Sequence, residues 1–103
     1  GALAAVMARI ERVPEVRDDL DRFRDHLTQH ECVDAPVRMG AILQAIQILT
    51  SNPLIGRPVK GGKRELVIGA DARGYVALYH FVPDIDTVFV LAVRHQREAG
   101  FKR

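Results

Sequence analysis

Three apolar segments joined by two short connections lie in the C-terminal part of the sequence and constrain the fold more than any other feature. The segments cover residues 64–69, 74–81 and 87–93. The first connection runs from one glycine to another, at positions 69 and 74, and the second begins with Pro83. Connections this short require antiparallel neighbours. The sequence therefore predicts a three-stranded antiparallel meander.

The residues before the meander predict a strand followed by a helix. Residues 8–13 alternate polar and apolar side chains, which is typical of a half-exposed strand, so we expect an edge strand there. A helix is expected from about Pro14 to about His30, because proline is tolerated in a first helical turn and apolar residues then recur at helical spacing. Its apolar stripe consists of Val16, Leu20, Phe23 and Leu27.

A second helix is expected after Asp34, which can cap it, and before the sequence Ser51-Asn52-Pro53, which can end it. Its apolar stripe consists of Met39, Ile42, Leu43, Ile46 and Leu49. Two amphipathic helices separated by a few residues form an antiparallel hairpin, whose apolar faces need a sheet to cover them. Residues 57–63 hold a proline and two adjacent glycines and are expected to form a loop.

Together these elements predict an α+β domain. An N-terminal strand precedes the two-helix antiparallel hairpin, which packs on a mainly antiparallel sheet that ends in the meander (βααβββ). A chain of 103 residues fits one domain, which we expect to span residues 7–103. Residues 1–6 precede Met7, the expected natural start, and are interpreted as a non-native extension or an alternative upstream start.

Composition and cysteine content indicate a compartment. The 48% hydrophobic and 27% charged residues are ordinary for a soluble globular protein, and no apolar stretch approaches the roughly 20 residues of a bilayer span. Cys32 is the single cysteine, so it forms no internal disulfide and fits a reducing compartment. We therefore expect a cytoplasmic protein that does not contact a membrane.

Positive charge is concentrated in the second half of the chain. Residues 1–52 hold six Arg and eight acidic residues, a net charge of −2, whereas residues 53–103 hold nine Lys or Arg and five acidic residues, a net charge of +4. Such a surface suits a polyanion or an acidic peptide, although a solvated basic face explains it equally well. The basic residues concerned are Arg57, Lys60, Lys63, Arg64, Arg73, Arg94, Arg97, Lys102 and Arg103.

Histidines are the candidates for chemistry. His26, His30 and Cys32 are close in sequence, but structural zinc needs four ligands and no second Cys pair exists, so neither a metal nor a cofactor is expected. His80 is expected to be buried with a satisfied side chain. His95 lies among arginines that should lower its pKa, which makes it a possible general base. The alternative is a histidine that ends an edge strand and bonds to backbone.

Several motifs resemble the RelE/ParE superfamily of bacterial type II toxin–antitoxin toxins, over residues 7–101. The motifs are Asn52-Pro53-Leu54-Ile55-Gly56-Arg57-Pro58, Arg64-Glu65-Leu66, Gly74-Tyr75-Val76-Ala77-Leu78-Tyr79 and Val90-Leu91-Ala92-Val93-Arg94-His95-Gln96-Arg97-Glu98. The resemblance implies a cytosolic, growth-inhibiting toxin with a role in plasmid stabilisation. It also implies a heteromeric complex with a cognate antitoxin, whose C-terminal segment wraps over the helical hairpin and the sheet.

The resemblance also suggests binding residues. The candidates for antitoxin binding are Leu20, Phe23, Leu27, Tyr79 and Phe81. The candidates for target binding are Arg57, Lys60, Lys63, Arg94 and Arg97.

The superfamily divides by target, and departures from its patterns favour one branch. RelE-like members cut mRNA on the ribosome, but here Val76 stands where they tend to carry Arg, and Phe101 stands near an expected Tyr. A ParE-like toxin that poisons DNA gyrase without catalysis is therefore favoured. The alternative is a ribosome-dependent endoribonuclease that uses Arg64, His95 and Arg97. A second alternative is an inactive, toxin-derived binding module.

Overall fold

The computed structural model describes residues 7–30, 33–69 and 74–102. The predictions for residues 1–6, Cys32, Arg73 and Arg103 lie outside these ranges. The regular elements are β1 (Arg9–Arg12), α1 (Pro14–Gln29), α2 (Ala35–Ile48), β2 (Arg57–Pro58), β3 (Arg64–Ile68), β4 (Tyr75–Val82) and β5 (Thr87–His95). The five strands form one sheet in the order β1-β5-β4-β3-β2. The predicted α+β class is confirmed.

The first helix follows the prediction closely. α1 begins at Pro14, in the first turn, and ends at Gln29. Of its stripe, Val16, Phe23 and Leu27 are buried, and Leu20 is half-buried. The stripe packs on β5, so α1 is held by tertiary contacts on a face that the sequence specifies.

The second helix differs from the prediction at two residues. Asp34 occupies the N-cap position, but its side chain makes no cap hydrogen bond and pairs with the Arg38 Nε at 3.0 Å. Leu43 is 43% exposed, although it was assigned to the buried stripe. Leu43 follows the fully buried Ile42, and one residue is about 100° of helical rotation, which turns its side chain away from the sheet.

The meander is confirmed, and two features of the sheet were not predicted. β1 pairs parallel with β5, so β5 is an interior strand, and the expectation that His95 ends an edge strand is wrong, although His95 does end its strand and does bond to backbone. Arg57 and Pro58 form a two-residue edge strand on β3, where a loop was expected. Proline is tolerated there because an edge strand has one side without ladder hydrogen bonds.

The core lies between the two helices and the sheet. Its fully buried side chains include Val16 of α1, Ile42 of α2 and Tyr79 of β4, together with Val88, Val90 and Val93 of β5. None of the helices in the described ranges is long and apolar enough to cross a bilayer.

Candidate functional site

Three of the candidate target-binding residues lie near the β2 edge of the sheet. Arg57 donates from Nε and Nη2 to the Glu65 Oε1, at 3.1 and 2.7 Å. Lys60 is exposed and Lys63 is half-buried, on a turn closed by a hydrogen bond from the Val59 N–H to the Lys63 carbonyl. These three basic residues, which we call the basic tip, lie on neighbouring parts of the chain, as contact with an anionic partner would require.

Arg64 lies next to the basic tip, and its guanidinium group is hydrogen-bonded to backbone carbonyls of the preceding segment. Its Nη1 donates to the carbonyls of Leu54 at 3.2 Å and Gly56 at 2.7 Å. The Gly56 N–H donates in turn to the Tyr79 hydroxyl at 2.8 Å. Burial raises the pKa of Tyr79, against smaller opposing effects of the Gly56 amide and Arg64. The segment that carries the Asn-Pro-Leu-Ile-Gly-Arg-Pro motif is therefore pinned to β4.

The structure does not bring Arg64 and His95 together. Arg64 lies opposite Tyr79, which lies opposite Val90, whereas His95 is five residues further along β5. One of these five residues belongs to a bulge, since His95 lies opposite Tyr75, four residues from Tyr79 on β4. At about 3.3 Å per residue the offset along the strand is about 13 Å, and the two strand spacings add about 10 Å sideways. Arg64 therefore lies apart from the other two members of the predicted ribonuclease set, His95 and Arg97, and a catalytic role for the set stays a prediction.

His95 instead lies in a cleft of about 690 Å³ at the end of β5, which we call the β5 cleft. Side chains from both helices, β4, β5 and the segment after β5 line it. Phe23 and Tyr75 are buried beneath it with their ring centroids 5.0 Å apart. Its cationic and imidazole side chains are Arg22, His26, Arg38, His95, Arg97 and Lys102.

A pair of carboxylates holds the end of β5 in place. Asp19, only 2% exposed, accepts from the Val93 N–H through Oδ2 at 3.0 Å. Glu98 accepts from the His95 N–H through Oε1 at 3.1 Å. Arg22 joins the two, with Nη2 at 3.3 Å from the Asp19 Oδ1 and Nη1 at 2.9 Å from the Glu98 Oε1. We call this arrangement the carboxylate clamp.

The carboxylate clamp binds the part of β5 that extends beyond the end of β1. β1 pairs with β5 only as far as Arg12 opposite Val90. The amides of Val93 and His95 lie beyond that point and would otherwise lack a strand partner on this side. Because an unsatisfied buried N–H costs about 1–3 kcal/mol, side-chain acceptors are needed there, and α1 and the turn after β5 supply them.

The environment of His95 favours the neutral imidazole. The Arg97 backbone N–H donates to the Nδ1 at 3.1 Å, which leaves the ring proton of the neutral form on Nε2. The ring packs edge-on against Tyr75, with centroids 5.2 Å apart. Burial lowers the pKa of His95, and the charge of Arg97 lowers it further. The predicted direction agrees with this lowering, although burial and not neighbouring charge is the main cause.

We expect the His95 imidazole to titrate below its ordinary pKa of about 6.5, as measured by NMR of the ring protons against pH. Because the folded-state pKa is lowered, the unfolded chain binds more protons between the two pKa values. Stability should therefore rise with pH through that window and be lost as the pH falls through it. Arg97→Gln should raise the pKa of His95, whereas Arg17→Gln, at an exposed position of α1, should not. A pKa at or above that of a free histidine would contradict the burial of the ring.

The remaining histidines have local roles. The His80 Nδ1 lies 3.0 Å from the Gly62 carbonyl, and the side chain is half-buried, in keeping with a satisfied structural histidine. The rings of His26 and His30 lie 4.2 Å apart at the end of α1. Within residues 7–30, 33–69 and 74–102, no cluster of three or more His, Cys, Asp or Glu side chains could hold a metal ion.

A family model described as the ParE toxin of the type II toxin–antitoxin system parDE matches residues 10–100. The chain belongs to this family. No curated protein sequence matches it.

Two solved structures share the fold of the ParE-family chain. One belongs to the chromosomal ParDE toxin–antitoxin system from P. aeruginosa, with a TM-score of 0.71 and 19% identity over 86% of this chain and 96% of that one. The other is from the toxin–antitoxin complex RelBE2 of Mycobacterium tuberculosis, with a TM-score of 0.62 and 18% identity over 92% of this chain and 98% of that one. At these identities the likeness establishes the fold.

Arg94 has a structural role in the ParE-family chain, and its assignment to target binding stays a prediction. Its Nη1 donates to three backbone carbonyls of the following turn, those of His95, Gln96 and Glu98, at 3.3, 3.3 and 3.0 Å. Its guanidinium also lies over the Phe101 ring, 5.3 Å from the centroid. Arg94 therefore fixes the segment that places Arg97 and Lys102 at the β5 cleft.

Three of the five candidate antitoxin-binding residues are core residues of the ParE-family chain. Phe23, Leu27 and Tyr79 are 5%, 4% and 0% exposed, and Leu20 and Phe81 are half-buried against the core. The apolar stripe of α1 meets the sheet, as the prediction of a hairpin packed on a sheet requires, and this leaves little of Phe23 and Leu27 for a partner to contact. Exposed apolar side chains lie on α2 and just after it, at Val37, Leu43, Ile48, Leu54 and Ile55.

Sequence reasoning missed Asp19, Arg22 and Arg38. A signal was present for the first two. Asp19 lies three residues after Val16, on the apolar stripe of α1. A carboxylate buried on such a stripe needs a hydrogen-bond donor or a cation as its partner. Arg22 precedes His26 by four residues, which places both on one helix face. Arg38 gives no such signal, since its approach to β5 depends on how the helices pack.

Proposed function

We propose that this ParE-family toxin inhibits growth by poisoning DNA gyrase without catalysing a reaction of its own. The observation that supports the proposal is the separation of Arg64 from His95, because it removes one basic group of the predicted ribonuclease set from the imidazole that would transfer the proton. Val76 is buried, and Phe101 lies under Arg94 and carries no proton to transfer. The basic tip and Arg97 are the proposed contacts with gyrase.

A cognate antitoxin is the proposed partner that neutralises the toxin. Two solved structures with this fold are described as a toxin–antitoxin system and a toxin–antitoxin complex, which supports such a pairing here. The exposed apolar side chains of α2 and of residues 54–55 offer contact area that the core does not use. We propose that the antitoxin covers these positions, in place of the buried Phe23, Leu27 and Tyr79.

Purified toxin incubated with gyrase, ATP and supercoiled plasmid should produce gyrase-dependent DNA cleavage. Lys60→Glu together with Lys63→Glu should weaken cleavage roughly tenfold or more, because charge reversal in a contact replaces attraction by repulsion. Arg17→Glu with Arg24→Glu, which makes the same change in net charge on α1, is the control and should act like the unmodified toxin. Gyrase that is unaffected by the purified toxin at micromolar concentration would refute this function.

A ribosome-dependent endoribonuclease is the second candidate, and the β5 cleft favours it. A neutral His95 among cationic side chains could act as a general base toward a 2′-hydroxyl group. Translated mRNA cut in the presence of the toxin, with cutting abolished by His95→Ala and gyrase untouched, would establish this candidate in place of the first. Neither activity, combined with normal growth on expression, would favour an inactive binding module.

A further inference from the structure

The second helix and the segment after it form a surface without charged side chains. Residues 39–56 contain no Asp, Glu, Lys, Arg or His. From the start of α2 to the end of this stretch, the large apolar side chains that are at least 43% exposed are Val37, Leu43, Ile48, Leu54 and Ile55. We call these five residues, together with Gly40, Ala41 and Gln44, the α2 face. Monomeric proteins rarely expose an apolar patch of this kind, so we expect another surface to cover it.

α2 presents apolar residues on two opposite sides. Ile42 and Ile46 are buried in the core, on the side that α1 and the sheet cover. The opposite side is exposed and presents residues at spacings of four, three and four, namely Val37, Ala41, Gln44 and Ile48. A helix that is apolar all round is normally buried all round. Within the described chain only one side of α2 is covered, so the other side needs a partner.

Gly40 is an independent indication that another backbone approaches α2. A Cβ at this position would meet nothing within 4 Å in the described ranges, so packing inside one chain does not require glycine here. Its backbone is helical, so no left-handed conformation requires glycine either. Glycine lowers the stability of a helix relative to alanine, and it suits positions where a second backbone comes close. Gly40 therefore marks a point of close approach from outside the chain.

The pattern of the α2 face fits a second copy of itself. A two-fold axis through the point midway between Val37 and Ile48 also lies midway between Ala41 and Gln44. In an antiparallel pair about this axis, Val37 of each copy meets Ile48 of the other, and Ala41 meets Gln44. Gly40 lies near the centre of this contact. A partner with charged residues would leave them unpaired against the α2 face, which is unfavourable, whereas a second copy brings none.

We propose that the toxin pairs with a second copy of itself through the α2 face, with the two α2 helices antiparallel, when no antitoxin is bound. The proposal goes beyond the gyrase assignment, and its test needs neither gyrase nor the antitoxin. The antitoxin was assigned to the same positions above, so the two occupants exclude each other. Because two copies have to meet, the paired fraction of free toxin rises with its concentration.

Sedimentation velocity of the whole chain measures the pairing. α2 has 14 residues and is about 21 Å long, so the contact is small and the dissociation constant should be roughly 10–100 μM. The sedimentation coefficient should therefore rise between about 10 μM and about 1 mM protein. A chain that stays monomeric throughout this range would overturn the proposal.

An equal mixture of isotope-labelled and unlabelled protein tests the orientation of the two copies. Isotope-filtered NOEs between copies should join the methyl groups of Val37 to those of Ile48, as the antiparallel two-fold pair requires. NOEs that join Val37 of one copy to Val37 of the other, or that join residues of the sheet, would contradict the proposed arrangement.

Matched variants separate the α2 face from apolar residues exposed elsewhere. Val37→Lys should weaken pairing at least roughly tenfold, because the lysine would lose solvation against Ile48 of the second copy. Val67→Lys makes the same exchange at a valine of β3 that is 51% exposed, and it should leave pairing unchanged. Circular dichroism melts verify that both variants fold. Equal weakening in the two variants would show that the contact does not involve α2.

Gly40→Leu distinguishes close helix packing from general hydrophobic association. The variant adds an apolar side chain at the exposed side of α2, so non-specific association would become stronger. Close approach of two backbones at Gly40 predicts the opposite, a loss of pairing of roughly tenfold or more. Stronger pairing of Gly40→Leu would overturn the proposal. Co-sedimentation with phosphatidylcholine vesicles, by a chain that is monomeric without them, would overturn it in favour of a lipid surface.

Discussion

Replacing Gly56 with alanine is expected to lower the free energy of unfolding by about 3 kcal/mol. A Cβ at this position would lie 2.7 Å from both the Cε1 and the hydroxyl oxygen of Tyr79, and 2.8 Å from the Glu65 carbonyl oxygen. Relief requires the chain to move away from β4. That movement breaks the Gly56–Tyr79 hydrogen bond and displaces the carbonyls that Arg64 holds.

Thermal unfolding followed by circular dichroism measures this effect. A loss of that size should lower the melting temperature by roughly 10 °C or more in a chain of this length. Gly40→Ala is the matched control, because Gly40 lies in α2 with nothing within 4 Å of the added methyl group. It should stabilise the protein by about 0.5–1 kcal/mol through helix propensity. Equal melting temperatures for the two variants would show that the chain near Gly56 yields without cost.

Asp19→Ala is expected to destabilise the protein by a similar amount, about 3 kcal/mol. The substitution leaves the buried Val93 N–H without its acceptor and removes one of the two carboxylates around Arg22. Asp19→Asn keeps an oxygen for the amide and loses only the charge, so it should cost about 1.5 kcal/mol. Urea unfolding of both variants gives the two values.

Hydrogen exchange provides a local readout of the carboxylate clamp. Asp19→Ala should raise the exchange rate of the Val93 amide, relative to the unmodified protein, more than that of the Val90 amide. The reason is that the loss is local to the end of β5. The control is Asp21→Ala, because the Asp21 side chain is about half exposed and pairs with Arg24, and this change should cost within about 0.5 kcal/mol. The role of the clamp would be disproved by equal losses for Asp19→Ala and Asp21→Ala.

The elements that local pattern defines were predictable. Both helices and the three strands of the meander follow from the spacing of apolar residues and from short turns. β2 was not predictable, because two residues that include Pro58 carry no periodicity. The parallel pairing of β1 with β5 was also missed, since contacts between distant segments leave no local trace. That pairing makes β5 an interior strand up to Val90, whereas His95 lies beyond the end of β1.

The types of residue in the candidate site were predictable from the sequence, but their arrangement in space was not. The residues of the basic tip lie close together because they are neighbours in sequence, and their role in target binding stays a prediction. Arg64 was assigned to catalysis and Arg94 to target binding because sequence does not show that their guanidinium groups bond to backbone carbonyls. Phe23 and Tyr79 were assigned to a partner for a related reason. An apolar stripe predicts that a face will be covered, but not whether its own sheet covers it.

The position of β5 has a consequence for how the protein is made. β5 is the last of the five strands to leave the ribosome, yet it joins β1, the first strand, to the rest of the sheet. A nascent chain that ends at Val82 lacks the strand on which the apolar face of α1 chiefly packs, and contacts between such distant segments also form slowly. We therefore expect the growing polypeptide to complete its sheet only after β5 has left the ribosome.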